Sequence, residues 1–250
     1  MGMLLDRLYK AVSADDFLVF SRSFQEIEWV IEAGIHDATD TVKLILSLRP
    51  NYYVGCEPDP EAFESAKINL NNHELPCAIE ILPVALTERR GFVTLQTPTQ
   101  FGDGNTQVKQ DKDGNTIGIP LAELLLERGN GGLLWLDVEG HSAHVLKGAG
   151  ETWNKFILMK IEIQMHDIHS NRVRDFLTVH KLVKKSFYLV RAPIHPGYFG
   201  DVVYLRKDVA KFRHRLISHL LISIFFFLHK TLYPLIGKPK VTIWIIHLKV

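Results

Sequence analysis

Acidic side chains and histidines cluster at two places where the sequence turns out of an apolar run. In 29-WVIEAGIHDATDT-41, Glu32 comes near the end of such a run, Gly34 opens the turn, and His36 and Asp37 follow. Glu57 ends a second run, 52-YYVGCE-57. A carboxylate accepts from two adjacent hydroxyls, and such charge-assisted bonds are about twice as strong as neutral ones. Glu57 therefore suits the two hydroxyls of a ribose, and Glu32 suits an ammonium group.

The other cluster is 134-LWLDVEGHSAHVLKGAG-150. Asp137 and Glu139 alternate along a strand and its carboxyl end, so both are expected on one side of it. Gly140 lets the chain turn, and His141 opens a helical segment. Removing the proton of an alcohol while its oxygen attacks an electrophilic carbon needs alignment and a base of near-neutral pKa. His141 is the first candidate base, with Asp137 or Glu139 orienting it or the hydroxyl, and His36 is its rival. The competing explanation is structural: Glu139 caps the next helix through free backbone N–H groups, and His141 is a surface residue. Asp137, Glu162 and His166 have the chemistry of metal ligands. No compact ligand motif joins them, so no metal is expected.

These residues must be carried by strands alternating with helices. Strands are expected at Trp29–Ala33, Tyr52–Cys56, Ala78–Pro83, Phe92–Gln96, Leu133–Val138, Phe156–Ile163, Phe187–Arg191 and Val202–Leu205. Helices fit at Asp40–Leu48, Pro60–Asn71, Leu121–Arg128, Ser142–Gly148 and Val173–Lys184, with Asp59 capping the second and Pro60 at its first position. The stretch 102-GDGNTQVKQDKDGNT-116 reads as a long loop or hairpin. Doubly buried strands with helical crossovers give an α/β fold, a doubly wound and mostly parallel sheet that binds ligands at the carboxyl ends of its strands. The last two strands have no helix between them and look like an antiparallel finish.

In such a sheet the turn after the first strand meets the cofactor. A dinucleotide pyrophosphate needs several glycines there for close backbone approach. Residues 34–39 read Gly-Ile-His-Asp-Ala-Thr, with Gly34 alone. A phosphate-free nucleoside fits that turn, and S-adenosyl-L-methionine, with its ribose and its ammonium, matches Glu57 and Glu32.

Four segments together, VIEAGIHDATDT, VGCEPDPEAFESAKINL, PVALTERRGFVTL and LWLDVEGHSAHVLKGAG, resemble the FkbM family of methyltransferases over roughly residues 28–205. The resemblance implies a Rossmann-like, seven-stranded methyltransferase sheet, S-adenosyl-L-methionine as cofactor, and methylation of hydroxyls on sugars or polyketides. It places Glu32, Gly34, His36, Asp37 and Glu57 on the cofactor side. Two positions depart from the pattern: Ala38 stands where the family usually has glycine, and Ile35 where it usually has alanine. The reading is an O-methyltransferase acting on a sugar, glycolipid or glycosylated small molecule. The alternative is a non-catalytic cofactor-binding or scaffold protein on the same fold, and an oxidoreductase is disfavoured by the missing glycines. The loops 97–116 and 192–200 would meet the acceptor, with Tyr198 and Phe199 available to stack on a sugar.

The 250-residue chain, 46% hydrophobic and 23% charged, is large enough for one α/β domain with an appendage. The division expected is a helical lead-in over 1–27, the methyltransferase domain over 28–209 and an apolar, basic appendage over 210–250. That appendage holds seven of the 29 Lys/Arg and none of the 28 Asp/Glu, so the rest is acidic. An acidic body argues against nucleic acid as partner. The apolar run 216-LISHLLISIFFFLHKTLYPLIG-237 between basic flanks suits packing on the domain or contact with an anionic membrane surface. Met1–Lys10 does not read as a secretory signal, and Cys56 and Cys77 read as reduced packing residues of a cytoplasmic protein.

Overall fold

The computed structural model describes residues 14–21, 27–96, 107–164, 175–192 and 199–227. The main sheet has seven strands. They are β1 (Trp29–Ala33), β2 (Tyr52–Cys56), β3 (Ala78–Leu82), β8 (Gly132–Leu136), β9 (Phe156–Gln164), β10 (Phe187–Arg191) and β11 (Phe199–Arg206), in the order β10-β11-β9-β8-β1-β2-β3. β11 runs antiparallel to both neighbours, and the remaining pairs are parallel. This is the expected doubly wound α/β sheet with its antiparallel finish.

Alternation of side chains splits the core into two layers. Ile31, Val54, Leu134 and Met159 face one way, and Val30, Tyr53, Leu133 and Leu158 face the other. The second layer is covered by α1 (Ala14–Ser21), α2 (Thr39–Leu48) and α3 (Pro60–Asn71). Phe17 of α1 meets Trp135 edge-on at 5.4 Å, so this part of the lead-in belongs to the core. α3 starts as its sequence requires: Asp59 accepts from the N–H groups of Glu61 and Ala62, and Pro60 occupies the first turn.

The first layer is covered by α4 (Leu121–Leu125), α5 (Ser142–Ala149), which continues into a 3-10 turn over Gly150–Lys155, and α6 (Asp175–Val183). α7 (Phe212–Phe227) packs against β10. Its amino end is fixed by the Lys211 N–H donating to Nδ1 of buried His214 at 3.0 Å. Cys56 is a buried and Cys77 a half-buried free thiol.

A second sheet departs from the expectation. β4 (Val84–Thr87), β5 (Gly91–Gln96), β6 (Gln107–Gln110) and β7 (Thr116–Pro120) pair in the order β4-β7-β5-β6. The glycine- and asparagine-rich stretch thus supplies β6 and the start of β7. Gly148 allows α5 to lie on this sheet, because a Cβ there would stand 2.1 Å from the Thr87 carbonyl oxygen. The glycine of V-L-K-G-A therefore serves packing.

Candidate active site

The turn after β1 is pinned between its neighbours. The Gly34 N–H donates to the Cys56 carbonyl, and the Asp137 N–H donates to the Ala33 carbonyl, both at 2.9 Å. A Cβ at Gly34 would stand 1.8 Å from the Asp137 carbonyl oxygen, and Gly34 has φ +80°. Glycine is required there by both space and backbone conformation. His36 at φ 48° and Ala38 at φ 60° carry the chain on in left-handed geometry into α2.

This turn forms one wall of a cleft of about 190 Å3 lined by Glu32, Gly34, Ile35, His36, Asp37, Thr39, Asp40, Trp135 and Asp137. Glu32 is 3% exposed. Its Oε2 accepts from the hydroxyls of Tyr53 at 2.7 Å and Thr41 at 2.9 Å. Burial pushes its carboxyl up to about 7, against the pull of those hydroxyls and of Lys160. Neutral donors alone do not keep a buried carboxylate fully ionised.

Glu57 borders the turn from outside the cleft lining. One carboxylate oxygen accepts from the His36 N–H at 2.9 Å and the other from the Asp59 N–H at 3.0 Å. Burial raises its pKa and the two N–H groups oppose that. The structure therefore brings Glu57 to the Gly34 bend, as the sequence reading requires. Asp37 is engaged locally: its two oxygens accept from the N–H and the hydroxyl of Thr39, each at 3.0 Å. These bonds, the backbone one foremost, hold its carboxyl below the usual range. The exposed His36 ring lies 3.8 Å from Asp37.

Across the cleft the chain leaves β8 at Leu136, earlier than expected. Glu139 at φ 45° and Gly140 at φ 80° then form a turn closed by the His141 N–H donating to the Val138 carbonyl at 3.0 Å. Positive φ at both central positions is the type I′ pattern. This turn, rather than strand alternation, directs Glu139. Its carboxylate, that of Asp137 and that of Glu162 at the end of β9 converge, with one oxygen from each within 4.8 Å of the others. Burial raises all three pKa values, and crowding adds to it: Glu139 reaches about 7 through burial and Asp137. Glu162 is pushed up by burial and by its two carboxylate neighbours, and Asp137 is raised by burial against the pull of Lys160. Three carboxylates this close cannot all be ionised at neutral pH.

His141 stands apart from this group in its electrostatics. Its ring stacks on His144 at 4.7 Å, and its charged neighbours are His144 and Glu88. Burial lowers its pKa to about 4, and its Nε2 is buried without a hydrogen-bond partner. Glu32 in the cleft lining and Glu139 beside Asp137 are both raised to about 7, whereas His141, which the sequence reading put first, is lowered to about 4.

Lys160 was missed in the sequence. It is 3% exposed, pairs with Asp201 at 2.8 Å and lies 4.3 Å from the centre of the Trp135 ring. Its signal is a lysine on an inward position of the apolar strand FILMKIEIQ. Tyr53 and Thr41 were also missed, and no local pattern marks them as partners of Glu32. His166 and Tyr198 lie outside the described residues. A larger concavity of about 440 Å3, lined by Asn130, Asn154, Ser186, Arg206, Lys207 and Asp208, opens at the opposite end of the strands.

Residues 32–189, more than half the chain, match the family described as Methyltransferase FkbM domain. No curated protein matches the chain. Solved structures with a similar course of chain include magnesium protoporphyrin IX methyltransferase from Synechocystis PCC 6803 with bound S-adenosylmethionine. It is 11% identical, covers 78% of each chain and has a TM-score of 0.42. A fibrillarin–Nop5p complex is 13% identical, covering 72% of this chain and 73% of that one, with a TM-score of 0.45. An S-adenosylmethionine-dependent methyltransferase from Aquifex aeolicus is 10% identical, covering 75% and 88%, with a TM-score of 0.41.

Proposed function

The chain belongs to the FkbM family of methyltransferases, and we propose that it methylates a hydroxyl of a sugar, glycolipid or glycosylated small molecule. S-adenosyl-L-methionine is the cofactor of this family. When bound, it supplies a methyl group activated by a sulfonium.

The residues present fit that cofactor. The hydrogen bonds of buried Glu32 come from two neutral hydroxyls, so its carboxylate suits an arriving ammonium. The oxygens of Glu57 each accept one backbone N–H. A carboxylate oxygen has two lone pairs, which leaves one on each side for the two ribose hydroxyls.

One observation carries the choice of an alcohol as acceptor: the convergence of Asp137, Glu139 and Glu162 beside the cleft, with Glu139 near neutrality. An alcohol must lose its proton as its oxygen attacks, and a group titrating near the working pH does this best. We assign that role to Glu139. Asp137 and Glu162 hold negative charge and a shared proton beside it, which keeps its proton affinity high. His141, with its low basicity, serves as a neutral acceptor that can orient the hydroxyl. The acidic body of the chain, with all 28 Asp/Glu in residues 1–209, favours a neutral glycan-like acceptor over nucleic acid.

Calorimetry with S-adenosylmethionine and transfer of its labelled methyl to a panel of sugar and glycolipid acceptors test this reading. The expected result is cofactor binding and a methyl ether on the product. Transfer only to RNA, or only to a carboxyl group, would replace the acceptor class. Tight binding without transfer to any acceptor would leave a cofactor-binding protein.

A further inference from the structure

We propose that the outward face of α7 docks the protein on the surface of an anionic phospholipid bilayer. α7 buries His214, Ser218 and Leu221 on its inner side, where it meets β10. Phe212, Leu216 and Leu220 recur every four residues on the outer side, which places them along one stripe of a helix. They are 74%, 54% and 44% exposed. The stripe runs about 12 Å along the axis at 1.5 Å per residue.

The charges around the stripe decide what it meets. At 100° per residue, Arg213 and Arg215 fall on its two margins, and both are exposed, as is Lys211 before the helix. Residues 210–250 contain no Asp or Glu. An apolar stripe edged by arginines can sink into the headgroup–acyl boundary while the guanidinium groups reach up to lipid phosphates. A second copy fits worse, because a two-fold interface places like patches together and would crowd these cations against their equivalents. Among the described residues no helix is long and apolar enough to cross a membrane. The inference stands apart from the acceptor chemistry, since its readout needs no turnover.

Sedimentation of the full chain with vesicles tests it, using phosphatidylcholine alone and phosphatidylcholine mixed with phosphatidylglycerol. Binding to the mixed vesicles only, weakening as salt rises, is expected. Leu216→Ser with Leu220→Ser changes no charge and should lower the partition coefficient at least about tenfold. Arg213→Ser and Arg215→Ser should each lower it about fivefold and flatten the salt dependence. Equal partition of wild type and the double leucine variant, or equal binding to both vesicles, would overturn the proposal. So would a concentration-dependent dimer that the leucine variant abolishes without vesicle binding, since a second copy then owns the face. A lower Tm in that variant with unchanged partition would show that the chain itself covers the stripe.

Discussion

The two sets of carboxylates at the head of the sheet differ in how they are held. Around the Gly34 turn, Glu57 is gripped by two backbone N–H groups and Asp37 by Thr39. After β8, by contrast, Asp137, Glu139 and Glu162 crowd one another, with Lys160 as the nearby cation. Fixed N–H donors favour the charged, accepting state that binding needs, and at Glu57 they oppose the burial that raises its pKa. Crowded carboxylates retain protons, and the group that titrates near neutrality is the one able to exchange a proton with a substrate. On the proposed reading, the difference separates a binding half from a chemical half at one end of the sheet.

The sharpest way to break that division is Glu139→Gln. Removing the proposed base should lower kcat on the order of a hundred- to ten-thousandfold while calorimetry finds the cofactor affinity nearly unchanged. Equal losses in both would merge the two halves. Gly34→Ala strikes where they touch, at the Asp137 carbonyl. The clash and the left-handed backbone together should cost about 3 kcal/mol, seen as a lower Tm with both binding and turnover lost. Glu57→Gln should act on the binding half alone. Losing hydrogen bonds to a charged group should raise the cofactor Kd about tenfold or more, with kcat retained at saturating cofactor.

Titration sharpens the comparison further. Glu32 and Glu139 are both raised from 4.5 to about 7. Their neutral forms stabilise the fold fully below pH 4.5, and that contribution is lost as pH rises through about 7. His141 runs the other way, its contribution whole above pH 6.5 and lost as pH falls through about 4. An ammonium needs Glu32 ionised, so cofactor affinity should rise up to about tenfold per pH unit below pH 7 and level off above it. Glu32→Gln should bind weakly and flatten that profile. A wild-type affinity independent of pH would remove Glu32 from the ammonium.

The placing of Glu57 beside the Gly34 turn was legible in the sequence because local chemistry fixes it. An apolar strand, one glycine and an acid at the end of the next strand sit in consecutive elements, so the sheet must bring them together. The Asp59–Pro60 start of α3 was legible for the same reason. The chemical half was harder. Glu139 reaches Asp137 through a left-handed turn instead of strand alternation, and Glu162 arrives from the next strand of the sheet. Lys160 went unmarked, because its burial follows only from the place of its strand between two others. Of the second sheet, β5 was legible, while β4 was missed and β6 and the start of β7 lie in a Gly- and Asn-rich stretch read as a loop or hairpin, whose local preference is for turns. The tail gave its charge and hydropathy, but which residues of α7 face outward depends on how it packs on β10.

The smallest expected effect concerns the strain that shapes the binding half. His36, Ala38 and Glu139 are three of the four non-glycine residues with positive φ among those described, and all three lie in the turns framing the cleft. A left-handed residue with a Cβ costs roughly 1–2 kcal/mol. Ala38→Gly removes that penalty but increases the freedom of the unfolded chain, which takes back about 0.4–1 kcal/mol. It also deletes a methyl that is fully buried. With about 0.8 kcal/mol for that methyl the terms nearly cancel, so Tm should move by less than about 2 °C. Tighter cofactor binding in the same variant would mean that the Ala38 methyl crowds the ligand. An unchanged Kd would confine its effect to the backbone and leave the division between the two halves intact.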